Sequence, residues 1–184
     1  VADYTGFPEI LEGMVKTLNP KIHGGILARR DKQSHLNDLN KQNINPIDLV
    51  VVNLYPFEQT ISKANVSWDE AIENIDIGGP TMIRSAAKNH QDVLVVTNPN
   101  QYSDLIDAYK SKTITDELRK NYSQQAFEHT AIYDLTISKW IAKKLSKKNT
   151  SWLQALPMKQ ELRYGENPHQ NASWYGEPKT GWSG

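Results

Sequence analysis

Two short runs of aliphatic residues constrain the fold of this 184-residue chain more than any other feature. Residues 47–54 contain Leu49-Val50-Val51-Val52, and residues 92–97 contain Val93-Leu94-Val95-Val96. Neither run alternates polar with apolar side chains, as a half-exposed strand would. Continuous β-branched runs are typical of parallel strands that are buried on both faces. The chain is therefore predicted to contain a parallel sheet.

Helical patterns surround these two strands. We predict helices over about residues 31–42, 68–75, 81–89, 99–110 and 115–147. Ser67, followed three residues later by Glu70, is the expected N-cap of the second helix. Residues 1–30 are predicted to be rich in loops, because glycine and proline recur there and Gly24-Gly25 forms a pair. Strands that alternate with helices indicate an α/β fold, in which ligands bind beyond the carboxyl ends of the strands.

Composition narrows the classes of function. The 21 basic and 21 acidic side chains give no net charge, which argues against a nucleic-acid or membrane-surface partner. The lysine-rich end of the last predicted helix is interpreted as a solvated face. The absence of cysteine excludes thiol catalysis and thiolate metal sites, and the five histidines lack metal-ligand spacing. We expect no metal and no membrane span.

Two glycine-rich stretches could carry chemistry. Lys16 and Thr17, in a turn-rich segment before glycines, could hold a phosphate, or they could belong to a solvated loop. Asp76 precedes Gly78 and Gly79, so its carboxylate could accept a proton from a ligand that approaches the glycine backbone closely. The same stretch could equally be a capped turn between two helices.

Two further residues complete the candidates. Tyr55 follows the first predicted strand, where its hydroxyl could donate to a ligand or its ring could pack against Pro56. Lys88 follows Asp76 one helix later, where it could form a proton-transfer pair or be a surface charge. The residue types alone leave these alternatives open.

Taken in order along the chain, these stretches resemble one family, the bifunctional purine biosynthesis proteins that combine AICAR formyltransferase with IMP cyclohydrolase. Seven motifs carry the resemblance: Asp3-Tyr4-Thr5-Gly6-Phe7-Pro8-Glu9, Val15-Lys16-Thr17-Leu18, His23-Gly24-Gly25-Ile26-Leu27-Ala28-Arg29, Asn53-Leu54-Tyr55-Pro56-Phe57, Ile75-Asp76-Ile77-Gly78-Gly79, Ala86-Ala87-Lys88-Asn89-His90 and Leu162-Arg163-Tyr164-Gly165-Glu166-Asn167-Pro168-His169-Gln170. Each motif is modest evidence, and their shared order makes coincidence an inadequate explanation.

The resemblance implies two regions. Residues 1–150 would be the IMP cyclohydrolase domain, with a methylglyoxal-synthase-like parallel sheet flanked by helices and without its N-terminal part. Residues 151–184 would be a linker and the start of the formyltransferase domain. The first domain would close formyl-AICAR to IMP with loss of water and without a cofactor. The alternative is a non-catalytic nucleotide-binding module, or an inactive fragment, of the same fold.

The longer protein would also transfer a formyl group from 10-formyltetrahydrofolate, its cosubstrate, to AICAR. By resemblance it would be a homodimer in the cytosol. The formyl-transferring lysine–histidine pair of the family lies beyond this sequence, so we do not expect the chain to transfer a formyl group by itself.

The resemblance also implies roles for site residues. Four positions match the family's catalytic cluster: Lys16, Tyr55, Asp76 and Lys88. Lys16 and Tyr55 would stabilise the oxyanion that forms during ring closure. Asp76 and Lys88 would move protons.

Other matched positions would bind substrates. Thr17, Gly78 and Gly79 would line the nucleotide site. Arg163 and Tyr164 match contacts to the AICAR phosphate, for which the forked guanidinium of arginine is well suited.

The sequence departs from the family pattern at two positions. Met14 replaces an arginine that helps to hold the substrate phosphate in the family, and Asn19 replaces a histidine. Methionine carries no charge, so weaker phosphate binding is expected unless Lys21 compensates.

Overall fold

A computed structural model describes residues 1–146, 153–163, 165–167 and 169–176. The chain forms two compact units, Val1–Ile141 and Ala142–Gly184. The helices are α1 (Ala2–Thr5), α2 (Pro20–Leu27), α3 (Gln33–Lys41), α4 (Phe57–Ile61), α5 (Trp68–Glu73), α6 (Gly78–Lys88), α7 (Tyr102–Lys110) and α8 (Asp116–Lys144). The strands are β1 (Leu49–Val51), β2 (Leu94–Val96), β3 (Met158–Leu162) and β4 (Ala172–Tyr175). Two 3₁₀ turns, Leu11–Gly13 and Pro99–Gln101, complete the elements.

The predicted parallel sheet is confirmed. β1 and β2 pair in parallel, with Val50 opposite Val95. All three residues of β2 are buried, and residues of α2, α6 and α8 share its core. β1 differs from the prediction, because only Val50 is buried while Leu49 and Val51 are 45% and 46% exposed.

The predicted helices are present with changed ends. The Ser67 hydroxyl accepts the backbone N–H of Glu70 at 3.0 Å, as expected of an N-cap. α6 begins at Gly78, three residues before the predicted start. Pro80 does not prevent this earlier start, because the first turn of a helix needs no N–H donor for its own hydrogen bonds.

Helix α2 lies in the segment that was predicted to be rich in loops, and the sequence analysis did not predict it. Asn19 caps the helix by accepting the Lys21 N–H at 2.9 Å, and Pro20 occupies the first helical position. A Cβ on Gly25 would lie 2.6 Å from the Asn45 carbonyl oxygen. Gly25 is therefore a point of close backbone contact within a helix, and not a helix breaker.

A second apolar cluster joins α4, α5 and α8. Its buried members are Phe57, Val66, Ala71 and Trp140. The rings of Phe57 and Trp140 meet edge to face at 5.9 Å, and Trp68 stacks on Trp140 at 5.3 Å. This aromatic packing fixes the segment that follows β1 against the long helix.

The second unit contains a hairpin that the sequence analysis did not predict. β3 and β4 pair antiparallel, with an irregularity between Met158 and Gln160. The intervening loop closes through the Gly165 N–H, which donates to the Gln170 carbonyl at 2.8 Å. Among the described residues, none of the helices combines the length and apolar character that a membrane span requires.

Candidate functional site

Six predicted site residues meet where β1 ends and α6 begins. We call them the strand-end cluster: Lys16, Thr17, Tyr55, Asp76, Gly78 and Gly79. Direct contacts join Asp76 to Tyr55 and Gly79, and Thr17 to Gly78. This is the edge of a parallel sheet at which ligands bind in α/β folds.

Both carboxylate oxygens of Asp76 accept a backbone hydrogen bond. Its Oδ1 accepts the Gly79 N–H at 2.7 Å, and its Oδ2 accepts the Tyr55 N–H at 3.3 Å. A carboxylate offers about four acceptor positions, so two remain for a ligand. The carboxylate also lies at the N-terminal end of α6, where the helix dipole favours negative charge.

Both glycines permit close approach. A Cβ on Gly79 would lie 2.5 Å from Asp76 Oδ2 and 2.7 Å from Leu54 Cδ2. A Cβ on Gly78 would lie 2.6 Å from the Thr17 hydroxyl oxygen. Any side chain at these positions would therefore displace the carboxylate or the hydroxyl.

Lys16 forms an ion pair that the sequence analysis missed. Its Nζ lies 2.8 Å from Glu9 Oε2. The hydrogen bond and charge of Glu9 raise the pKa of Lys16, and Tyr55 adds to the increase. Lys16 therefore remains a cation at neutral pH. A tight turn with positive φ at Leu11 and Glu12 returns the chain so that Glu9 meets Lys16.

Lys88 lies at the opposite end of α6 from Asp76. The helix from Gly78 to Lys88 is about 15 Å long, at a rise of 1.5 Å per residue. The Lys88 side chain is exposed, and the neighbouring Asn89 is buried. A continuous helix thus separates Lys88 from Asp76 within one chain.

Tyr133 of α8 is a second residue that the sequence analysis missed. Its position among regularly spaced apolar residues predicts a core side chain, and it does pack against the second apolar cluster. Its hydroxyl oxygen also accepts the Asp76 backbone N–H at 2.9 Å. The residue type could have indicated this contact, because a tyrosine hydroxyl in a core usually forms a hydrogen bond.

Tyr55 is the member of the strand-end cluster that lines a cavity of about 530 Å³. The segments after β1 and β2 and one face of α8 form its walls, and Tyr55, His129 and Tyr133 contribute to the lining. Burial lowers the pKa of His129. Its buried Nε2 has no hydrogen-bond partner among the described residues.

The remaining predicted residues lie in the second unit. Arg163 follows β3 directly and is exposed. Tyr164 lies outside the described residues. No group of three or more histidine, aspartate or glutamate side chains in the described ranges is placed to hold a metal ion.

The strand-end cluster combines three kinds of group. Lys16 supplies a cation, Tyr55 supplies a phenol, and Asp76 supplies a carboxylate with free acceptor positions. Such a set can take a proton from one atom of a ligand while it stabilises negative charge on another.

Comparisons with known proteins identify the family that this chain matches. A family model described as the AICARFT/IMPCHase bienzyme matches residues 86–183, and one for the MGS-like domain matches residues 1–81. The bifunctional purine biosynthesis protein PurH of Prochlorococcus marinus (strain NATL1A) is 85% identical over the whole chain. PurH of Synechococcus sp. (strain CC9902) is 56% identical over 186 residues. The chain spans 36% of the length of each relative.

The fold also has a counterpart of known structure. The crystal structure of ForH superposes with a TM-score of 0.67 at 32% sequence identity. The match covers 77% of this chain and 73% of ForH. The similarity to ForH and the MGS-like match together confirm the predicted α/β fold class.

Proposed function

Because the chain belongs to the AICARFT/IMPCHase bienzyme family, we propose that it carries the IMP cyclohydrolase site of a bifunctional purine biosynthesis protein. In this proposal residues 1–150 form the cyclohydrolase domain, and residues 151–184 form a linker and the start of the formyltransferase domain. The single observation that carries the proposal is the strand-end cluster, which combines a carboxylate, a phenol and a cation at one strand end.

Ring closure of formyl-AICAR requires one bond to form and one water to leave. The carboxamide nitrogen attacks the formyl carbon and loses a proton, while the formyl oxygen gains negative charge. Asp76 accepts the proton at a free carboxylate position. The Lys16 ammonium and the Tyr55 hydroxyl stabilise the charged oxygen. That oxygen takes up the proton that Asp76 accepted, and it then leaves as water with the proton of the former formamide N–H. The C–O bond breaks in this step, and a C=N bond forms in the new ring.

Thr17, Gly78 and Gly79 line the nucleotide in this proposal. The Thr17 hydroxyl lies against the first turn of α6, where backbone N–H groups have no partners within the helix. Such N–H groups can donate to the oxygen atoms of a nucleotide. Cyclisation at this site uses the side chains named and no cofactor.

Lys88 stays a prediction from the resemblance. Within one chain it is about 15 Å from the start of α6, so proton transfer is assigned to Asp76 without it. A direct role for Lys88 in that transfer would require a second copy of the chain. Mixing Asp76→Asn chains with Lys88→Ala chains tests this, because activity returns only where two copies share a site.

The formyltransferase features belong to the longer protein. We propose that Arg163 and Tyr164 contact the AICAR phosphate there, with 10-formyltetrahydrofolate as the formyl donor. The proposed assembly is a homodimer in the cytosol.

The test measures cyclisation of formyl-AICAR by ultraviolet absorbance. It uses the 184-residue chain and a chimaera in which this chain replaces the matching segment of the Prochlorococcus marinus PurH. Activity of either protein that disappears with Asp76→Asn supports the proposal. If both proteins bind IMP without turnover, the chain is a nucleotide-binding module and the proposal is wrong.

A further inference from the structure

The hydroxyl of Tyr133 holds the segment that carries Asp76. We propose that Tyr133 is a positioning residue, which fixes the Asp76 backbone so that the Asp76 carboxylate stays aligned for proton transfer. This inference rests on the proposed function, because it concerns the same carboxylate.

Two hydrogen bonds connect Tyr133 to this segment. The Asp76 N–H donates to the Tyr133 hydroxyl oxygen at 2.9 Å. The same hydroxyl donates to the Asn74 carbonyl at 3.5 Å. One phenol thus holds the backbone on both sides of Ile75, although Tyr133 is 57 residues from Asp76 in the sequence.

The tyrosine itself is firmly placed. Its ring meets Phe57 edge to face at 6.3 Å, and Phe57 in turn packs on Trp140. Phe57 is one of the most deeply buried side chains of the chain. Packing of this kind restricts the ring, so the hydroxyl is presented from a rigid base on α8.

The protonation state of the phenol suits this role. Burial raises the pKa of Tyr133, the Asp76 N–H lowers it, and the negative charges of Asp76 and Asp134 raise it further, with a net increase. Tyr133 is therefore a neutral phenol at physiological pH, and it can accept one hydrogen bond and donate another.

Three contacts now define the position of Asp76. Gly79 and Tyr55 hold its two carboxylate oxygens, and Tyr133 holds its backbone nitrogen. Reaction rates are sensitive to small errors in the position of a proton acceptor. Loss of the third contact should therefore reduce turnover more than substrate binding.

The experiment compares Tyr133→Phe with Tyr122→Phe in the active chain or chimaera. Tyr122 is a matched control, because it lies on the same helix, is 5% exposed, and donates from its hydroxyl to the Gln101 carbonyl at 3.5 Å. Tyr133→Phe should lower kcat roughly fivefold, with KM changed less than about twofold. Hydrogen exchange at the Asp76 amide should accelerate in Tyr133→Phe alone.

The outcomes separate this inference from the function on which it rests. Unchanged kcat and unchanged Asp76 amide exchange in Tyr133→Phe, within an active background, overturn the inference alone. An equal loss of kcat in both variants also overturns it, because general loosening of α8 would then explain the effect. Absence of cyclisation in both unsubstituted proteins overturns the proposed function and the inference together.

Discussion

The polar side chains at the two ends of α6 differ in exposure and in hydrogen bonding. At the N-terminal end, the Asp76 carboxylate accepts two backbone N–H groups and keeps free acceptor positions. At the C-terminal end, the Asn89 amide is 3% exposed and donates to the Ile26 and Ala28 carbonyls. The Asp76 carboxylate can therefore still accept hydrogen bonds from a ligand, whereas the Asn89 amide is buried against the backbone of the chain. We infer that the first serves chemistry and the second serves stability.

Among substitutions that test this difference, Asp76→Asn should have the largest effect. The amide oxygen can still accept the Gly79 N–H, but the side chain no longer accepts a proton. We expect kcat for cyclisation to fall by about 100-fold or more, which is the usual contribution of a general base. Measurement of IMP binding is the control, and an equal loss of binding and turnover would contradict the proton-transfer role.

Gly79→Ala should have the next largest effect. The new methyl group would meet Asp76 Oδ2 and Leu54, so the carboxylate must move. We expect a loss of about 1–3 kcal/mol in the free energy of unfolding, typical of overpacking, together with a lower kcat. Gly24→Ala is the matched control. Its methyl group would meet only the flexible end of Ile44 at 3.2 Å, so kcat should be unchanged.

Asn89→Ala tests the other end of α6. The substitution removes two hydrogen bonds and leaves the Ile26 and Ala28 carbonyls without this donor. The free energy of unfolding, measured with urea, should fall by about 1–3 kcal/mol. Turnover per folded molecule should be unchanged. A selective loss of kcat at full stability would show that this end also serves chemistry.

Sequence reasoning succeeded where the signal was local. The two aliphatic runs located the sheet, and Ser67 located a helix start. The site at the strand end that contains Tyr55 stays a prediction. Sequence reasoning failed where the deciding contact came from a distant segment. The Gly24-Gly25 pair suggested a loop. Gly25 instead lies in a helix and contacts the Asn45 carbonyl, twenty residues away, and no local pattern indicates that contact.

The site shows the same limit. The ion pair between Lys16 and Glu9 depends on a turn with positive φ at Leu11 and Glu12, which no local pattern indicated. The Tyr133 contact depends on how α8 crosses the segment that ends at Asp76. Residue types therefore identify the groups that could react, whereas their mutual placement requires the fold.

His23 of α2 contacts Ser85 in the middle of α6, and it should make the stability of the chain depend on pH. Its Nδ1 lies 3.1 Å from the Ser85 hydroxyl, and burial lowers its pKa. The unfolded chain then binds a proton at higher pH than the folded chain, so stability falls as pH drops below about 6.5. Urea midpoints at pH 7.5 and 5.5 measure this loss. In His23→Gln the difference between the two midpoints should be smaller, and an unchanged difference would assign the effect to other groups.

Met14→Arg should have the smallest effect, which is on the affinity for IMP. Met14 is exposed two residues before Lys16, close in sequence to the open end of the site. Lys21, the candidate compensating cation, donates instead to the Tyr4 carbonyl at 3.3 Å. An added guanidinium at an exposed position contributes about 0.2–1 kcal/mol, so binding of IMP should tighten by about 1.4-fold to fivefold. The gain should shrink at high salt, because exposed charges are screened. Met14→Gln supplies a polar side chain without charge, and an equal gain in that variant would rule out a phosphate contact.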